Sequence, residues 1–202
     1  MSKLSNKAIV IITFSLVIIG ILLLSSDYLK SKKDLAYEKI RVSLFVKNED
    51  NTPKNVDEEE EVVEVLPNNY LGILTIDKIN LSQGFYDKDN PDNNISKNIT
   101  FLEPTNYPDE KNGNVILVAH SGSSSIAYFK NLYELAIGDT AQIRYKGRTY
   151  DYKIENIYNE EKDGDVTIYR DTNRNTLTMI TCTKNDDTKQ TVYIAYLQSV
   201  NK

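Results

Sequence analysis

The sequence predicts a mainly β fold, a closed or nearly closed β-barrel with one or two short helices, preceded by a transmembrane helix. Two observations carry this. From about Leu66 onward the chain becomes a series of short, β-branched apolar runs separated by turn residues, the texture of a barrel or sandwich. At the other end, Ala8 to Ser26 contains no charge, and Ala8 to Leu24 is almost entirely Ile, Val, Leu and Phe. As a helix that stretch would extend roughly 28 Å, close to the hydrocarbon thickness of a bilayer.

The elements follow in order. Residues 1–7 form a short N-terminus and 8–26 the membrane anchor. A cleaved signal peptide would have a shorter apolar region and a small-x-small cleavage site; Leu24-Ser25-Ser26-Asp27 offers no clean site, which favours an uncleaved anchor. Orientation is not decided by charge. Lys3 and Lys7 flank one side, Lys30, Lys32 and Lys33 the other, so the positive-inside bias nearly cancels. Residues 27–65 read as a partly amphipathic stalk followed by an acidic linker that contains the run Asp57-Glu58-Glu59-Glu60-Glu61, a charge block with little to bury. Residues 66–202 form the barrel domain. Its expected strands are Tyr70–Ile76, a short run at Lys78–Leu81, Asn114–Ala119, Thr140–Tyr145, Arg148–Ile154, Thr167–Arg170, Thr176–Cys182 and Thr191–Leu197. Lys146-Gly147 is the tip of a hairpin, and Tyr128–Leu135 has helical spacing for one short helix.

Composition narrows the function. The formal charge is −5 and is not gathered into basic clusters, so nucleic acid is not an expected partner. One His and one Cys in the whole chain support neither a zinc site nor an intrachain disulfide, and no cofactor or metal is called for. Asp87 to Asp92 resembles half a calcium loop but lacks the required glycine and terminal glutamate. Ser121, Ser123, Ser124 and Ser125 sit beside the histidine, yet no G-x-S-x-G elbow accompanies them.

The two unique residues remain. Cys182 ends the run Thr176–Cys182, and His120 follows the run Val115–Ala119. A lone cysteine is otherwise a small buried hydrophobe, but two once-only residues, each at a strand end, form a candidate thiol–imidazole pair. Such a pair supports acyl transfer: the thiolate attacks a peptide carbonyl and the imidazole moves protons for the leaving and entering amines.

In this order the motifs resemble those of the sortases, membrane-anchored cysteine transpeptidases of Gram-positive bacteria. Leu177-Thr178-Met179-Ile180-Thr181-Cys182 is similar to the family's nucleophile motif, with Met179 where Leu is usual. Ala119-His120-Ser121-Gly122 resembles its histidine segment, and Phe129-Lys130-Asn131-Leu132 followed by Ile137-Gly138-Asp139 resembles the pattern after it. The resemblance spans roughly Tyr70 to Leu197. It implies a sortase-like barrel facing the outside of the cell membrane on a single-pass anchor. The implied partners are the sorting-signal peptide of a surface protein and an amine acceptor of the cell envelope or a pilin. Cys182 is then the nucleophile and His120 the general acid/base, with Thr181, Ser121, Ile180 and Ile194 as candidate substrate-binding residues. No apolar tail follows the barrel, which by resemblance argues against the two-anchor, pilin-polymerising type.

One position departs from the pattern. Relatives usually carry an arginine five residues before the alanine corresponding to Ala195; here it is Gln190, the third candidate catalytic residue. Strand period places Gln190, Val192, Ile194 and Tyr196 on one face and Lys189, Thr191, Tyr193 and Ala195 on the other. Lys189 therefore replaces the arginine only if a bulge shifts the register; Arg170 and Arg174, on the loop entering the cysteine strand, are the other cations within sequence reach. Two alternatives stay open: a catalytically impaired module that only binds sorting peptides, and a cysteine peptidase that releases its product to water.

Overall fold

The computed structural model describes residues 6–50 and 69–202, excepting the side chains of 6–11, 21–28, 30, 31, 34, 35 and 48–50. The chain divides into two compact units, Met1–Ile40 and Arg41–Lys202. A single helix, α1, runs from Asn6 to Asp50. The expected anchor, 8–26, lies within it, but the side chains of 8–11 and 21–26 fall outside the described residues. Among the described residues no helix is long and apolar enough to cross a membrane. The acidic run 57–61 also lies outside the described residues.

Eight strands build the larger unit: β1 (Tyr70–Ile76), β2 (Leu81–Tyr86), β3 (Thr100–Phe101), β4 (Asn114–Val118), β5 (Thr140–Tyr145), β6 (Arg148–Glu161), β7 (Thr176–Cys182) and β8 (Lys189–Asn201). They form one sheet in the order β2-β1-β5-β6-β8-β7-β4-β3. The two edges meet through an isolated bridge between Phe85 and Ile99, so the barrel is nearly closed. Its interior holds Leu74, Ile76, Phe85, Leu117, Ile143, Ile154, Leu177, Met179, Tyr193 and Ala195, all buried. On the opposite face of β4, β7 and β8 a second cluster gathers Ile116, Ile180, Val192, Ile194 and Tyr196. Alternate residues of β7 and β8 thus feed two different cores, as the period of two requires. In the same unit Phe45 of α1 is buried with Tyr70 and Ile73, its ring 6.3 Å from that of Tyr70.

Of the local expectations one is met and several are corrected. The hairpin tip at Lys146-Gly147 is present, with both residues at positive φ (49° and 68°), the combination that lets a two-residue turn match strand twist. Lys78–Leu81 is not one strand: a 3-10 turn spans Asp77–Ile79, Asn80 turns the chain at φ 52°, and β2 starts at Leu81. Tyr128–Leu135 does not form a helix beyond the 3-10 turn Leu132–Glu134. The Phe129 N–H is drawn to the His120 carbonyl at 3.0 Å, and a segment this short gains little from helix formation alone. Thr167–Arg170 is loop. Its backbone pairs with a side chain instead of a strand: the Tyr158 hydroxyl donates to the Thr167 carbonyl at 2.8 Å and accepts from the Tyr169 N–H at 2.9 Å.

Candidate active site

The topology alone brings the two unique residues together. β4 and β7 pair in parallel, with Val118 opposite Ile180, so their C-terminal ends reach the same edge of the barrel. Two residues further on, His120 and Cys182 occupy matching positions on neighbouring strand ends. Antiparallel pairing would have sent them to opposite ends.

Hydrogen bonds lock this edge. The Ala119 N–H donates to the Ile180 carbonyl at 3.3 Å, and the buried Thr181 hydroxyl donates to the Ala119 carbonyl at 2.8 Å. Ser121 closes the other side, its Oγ donating to the Cys182 carbonyl at 3.0 Å. Thr181 and Ser121 therefore clamp the histidine segment to the cysteine strand; their hydroxyls are occupied by the protein itself. The Phe129 N–H on the His120 carbonyl fixes the chain after the histidine, and Phe129 and Leu132 are fully buried in the barrel core. Further along, Gly138 sits at φ 99°, a conformation that favours glycine. Asp139 ties that turn through its Oδ2, which accepts from the Ala136 N–H and from Lys78 Nζ, each at 2.7 Å. These two bonds hold the Asp139 carboxyl below the ordinary carboxylate range. The motif after the histidine is thus a frame that returns the chain into β5.

Cys182 is half-buried and borders a cavity of about 660 Å³ at the barrel mouth. Ser121, Phe129, Tyr133, Thr181, Lys184 and Tyr193 contribute to its wall. Lys184, in the β7–β8 turn, places its ammonium 3.2 Å from the centre of the Tyr133 ring, joining two sides of that wall. Beneath it a chain of hydroxyls links β7, β8 and β6: Thr183 and Thr191 share a bond of 2.9 Å, and Thr191 donates to Asn159 Oδ1 at 2.9 Å. Burial raises the Tyr193 phenol to about 12, so it stays neutral and acts as apolar wall.

Gln190 stands directly across from Cys182 in the β7–β8 pairing, on the face that carries Val192, Ile194 and Tyr196. Its Nε2 donates to the Asp165 carbonyl at 3.1 Å, tying down the loop between β6 and β7. Val166 and Ile168 of that loop pack against the cluster that contains Ile180 and Ile194, both of which are buried. Lys189 has the other parity, its ammonium 3.9 Å from the carboxylates of Glu161 and Asp186. Arg170 and Arg174 lie at the far end of β7. Arg170 donates to the carbonyls of Asn112 and Arg174; Arg174 pairs with both Glu155 oxygens at 2.8 and 2.7 Å and stacks 3.7 Å over the Tyr196 ring. That pairing holds the Glu155 carboxyl low.

The cation at the thiol is instead Lys162, which sequence inspection did not single out. Its Nζ is 3.5 Å from Cys182 Sγ. The signal was available only through the register. Glu160 lies across from Gln190, and Gln190 across from Cys182; Lys162, two residues past Glu160, shares their face.

The family model described as a sortase domain matches residues 74–199. A comparison with curated proteins finds no match. Among solved structures, a sortase D5 transpeptidase from Clostridium perfringens is 22% identical with a TM-score of 0.59, the alignment covering 81% of this chain and 99% of that one. Sortase C1 from Streptococcus agalactiae is 17% identical at TM-score 0.58, covering 83% and 88%, and sortase A from Corynebacterium diphtheriae, a lid mutant, is 19% identical at 0.57, covering 64% and 70%. At these identities the likeness is one of fold.

Proposed function

This chain belongs to the sortase family, whose members are cysteine transpeptidases, and we propose that it cleaves a sorting signal in surface proteins and transfers the new carboxyl end to an envelope or pilin amine. The observation that carries the proposal is the parallel β4–β7 pair, which delivers His120 and Cys182 to one edge of the barrel, with Cys182 on the wall of a cavity. In the first half-reaction the Cys182 sulfur bonds to the scissile carbonyl carbon, and the carbon–nitrogen bond breaks. The leaving amine takes a proton from the His120 imidazolium, leaving a thioester. In the second, the acceptor amine bonds to the same carbon, gives a proton to the neutral imidazole, and the carbon–sulfur bond breaks to restore the thiolate.

The cavity beside Cys182, walled by Tyr133, Thr181, Lys184 and Tyr193, is where this reading seats the sorting-signal peptide; Ile180 and Ile194 are buried in a separate cluster against the β6–β7 loop. Membrane attachment through 8–26 and an external catalytic domain belong to the same reading. Ile12, Phe14, Leu16, Val17, Ile18 and Ile19 of α1 are 47–69% exposed, and four of them are consecutive, so more than one helix face is apolar to its surroundings.

Mass spectrometry of the chain incubated with a library of candidate sorting peptides tests the first half-reaction. A thioester adduct confined to Cys182 is expected, and its absence across the library would sink the proposal. Hydroxylamine then tests transfer: a hydroxamate product is expected, whereas free acid alone would mean hydrolysis.

A further inference from the structure

We propose that Lys162 is a catalytic residue that stabilises negative charge at Cys182, a role taken here by a lysine at the end of β6. The inference rests on the transpeptidase reading and adds the group that carries the positive charge. Lys162 Nζ donates to Cys182 Sγ at 3.5 Å. Among the described residues no carboxylate lies within ion-pair distance of this ammonium, unlike Lys78, Lys97, Lys146 and Lys189, each of which faces one. The backbone supports the placement: the Lys162 N–H donates to the Thr188 carbonyl at 2.8 Å, extending the β6–β8 ladder one step beyond Glu161–Lys189. The stem thus leaves a fixed point on the face shared by Gln190 and Cys182.

The rivals are accounted for. Gln190 is uncharged and donates to the Asp165 carbonyl, Lys189 faces Glu161 and Asp186, and Arg170 and Arg174 are bound at the other end of β7. Attack on a carbonyl moves negative charge from sulfur to oxygen. An ammonium has three donors, so the same group serves the sulfur before attack and the oxygen after it, with bonds stronger than a neutral amide could make.

The test compares wild type, Lys162→Met, Lys162→Arg and Lys189→Met. Alkylation by iodoacetamide reads charge at the sulfur without any peptide substrate: the sulfur bonds to the reagent's methylene carbon and iodide leaves. Cys182→Ala supplies the blank. Lys162→Met should alkylate about 10- to 100-fold more slowly, somewhat less than removal of a dry oxyanion donor costs, because this lysine is solvent-exposed. Lys162→Arg should recover most of the rate, and Lys189→Met should match wild type. Single-turnover acylation should fall in the same order, with KM little changed. Raising NaCl from about 0.05 to about 0.5 M should slow alkylation of wild type but not of Lys162→Met. Equal alkylation and acylation by Lys162→Met and wild type would overturn the proposal, as would a salt response common to both. A wild-type chain that alkylates in this pattern yet forms no thioester with any peptide would refute the transpeptidase reading while leaving the charge assignment standing.

Discussion

The proposed mechanism gives each side chain at the site one separable job, and substitution can tell the jobs apart. In the proposed mechanism Cys182→Ala removes the nucleophile and His120→Ala the proton carrier, so both variants should retain the fold and lose thioester transfer. The histidine variant should fall by about 10²–10⁴-fold, the usual worth of a general acid/base; steady-state turnover with a cleavable peptide measures it. Thr181 is different. Its buried hydroxyl is spent on the Ala119 carbonyl, so Thr181→Val leaves a buried acceptor short of a partner. About 1–2 kcal/mol of stability should be lost in urea unfolding, and Thr181→Ser should recover most of it. Gln190 holds a loop carbonyl; if Lys162 supplies the charge, Gln190→Ala slows single-turnover acylation less than Lys162→Met does. The reverse order would return the arginine's role to Gln190.

Among the elements, what could be seen from the sequence depended on whether a segment's partner was local or distant. β1, β5 and β7 were legible because apolar runs with sharp turn residues define them, and the Lys146-Gly147 tip defines its own geometry. β3 was not, since two residues carry no period and its pairing with β4 is a long-range event. Thr167–Arg170 has strand-like composition but meets the hydroxyl of Tyr158 rather than a ladder. Lys162 was hidden for the same reason: its nearness to Cys182 depends on β8 standing between β6 and β7, with two bulges along the way. The parity of Gln190, by contrast, needed only the period of two. The Gly138-Asp139 turn yields a prediction at this scale. Because the Asp139 carboxyl is lowered in the fold by Lys78 and the Ala136 N–H, its contribution is present above the unfolded carboxylate value, about 3.9, and is lost as pH falls through the folded value. Asp139→Asn should therefore cost about 1 kcal/mol at pH 7, allowing for solvent screening. Urea midpoints of the two proteins should converge below about pH 4. A difference that persists unchanged into acid would assign the effect to shape rather than charge.

For the whole molecule, the proposed function and the apolar stretch of α1 together lead to an expected membrane orientation that can be tested. Ile12, Phe14 and Leu16 through Ile19 lie exposed along α1; at about 25 cal/mol per Å² of apolar surface, leaving such a stretch in water is costly, and a bilayer removes the cost. The substrates proposed for Cys182 are surface proteins and envelope amines, which exist on the outer side of the membrane. Lysines flank the apolar stretch on both sides, so substrate access, rather than the positive-inside bias, is the ground on which the proposed function puts residues 1–7 inside and the barrel outside. The full chain expressed in a Gram-positive host should resist extraction by alkaline carbonate and yield to detergent. On wall-stripped, unlysed cells an added protease should degrade the barrel, while an epitope placed at the N-terminus stays protected until the membrane is opened. Release by carbonate would refute the anchor. A barrel protected in unlysed cells would refute the orientation, and with it the class of substrate proposed for Cys182.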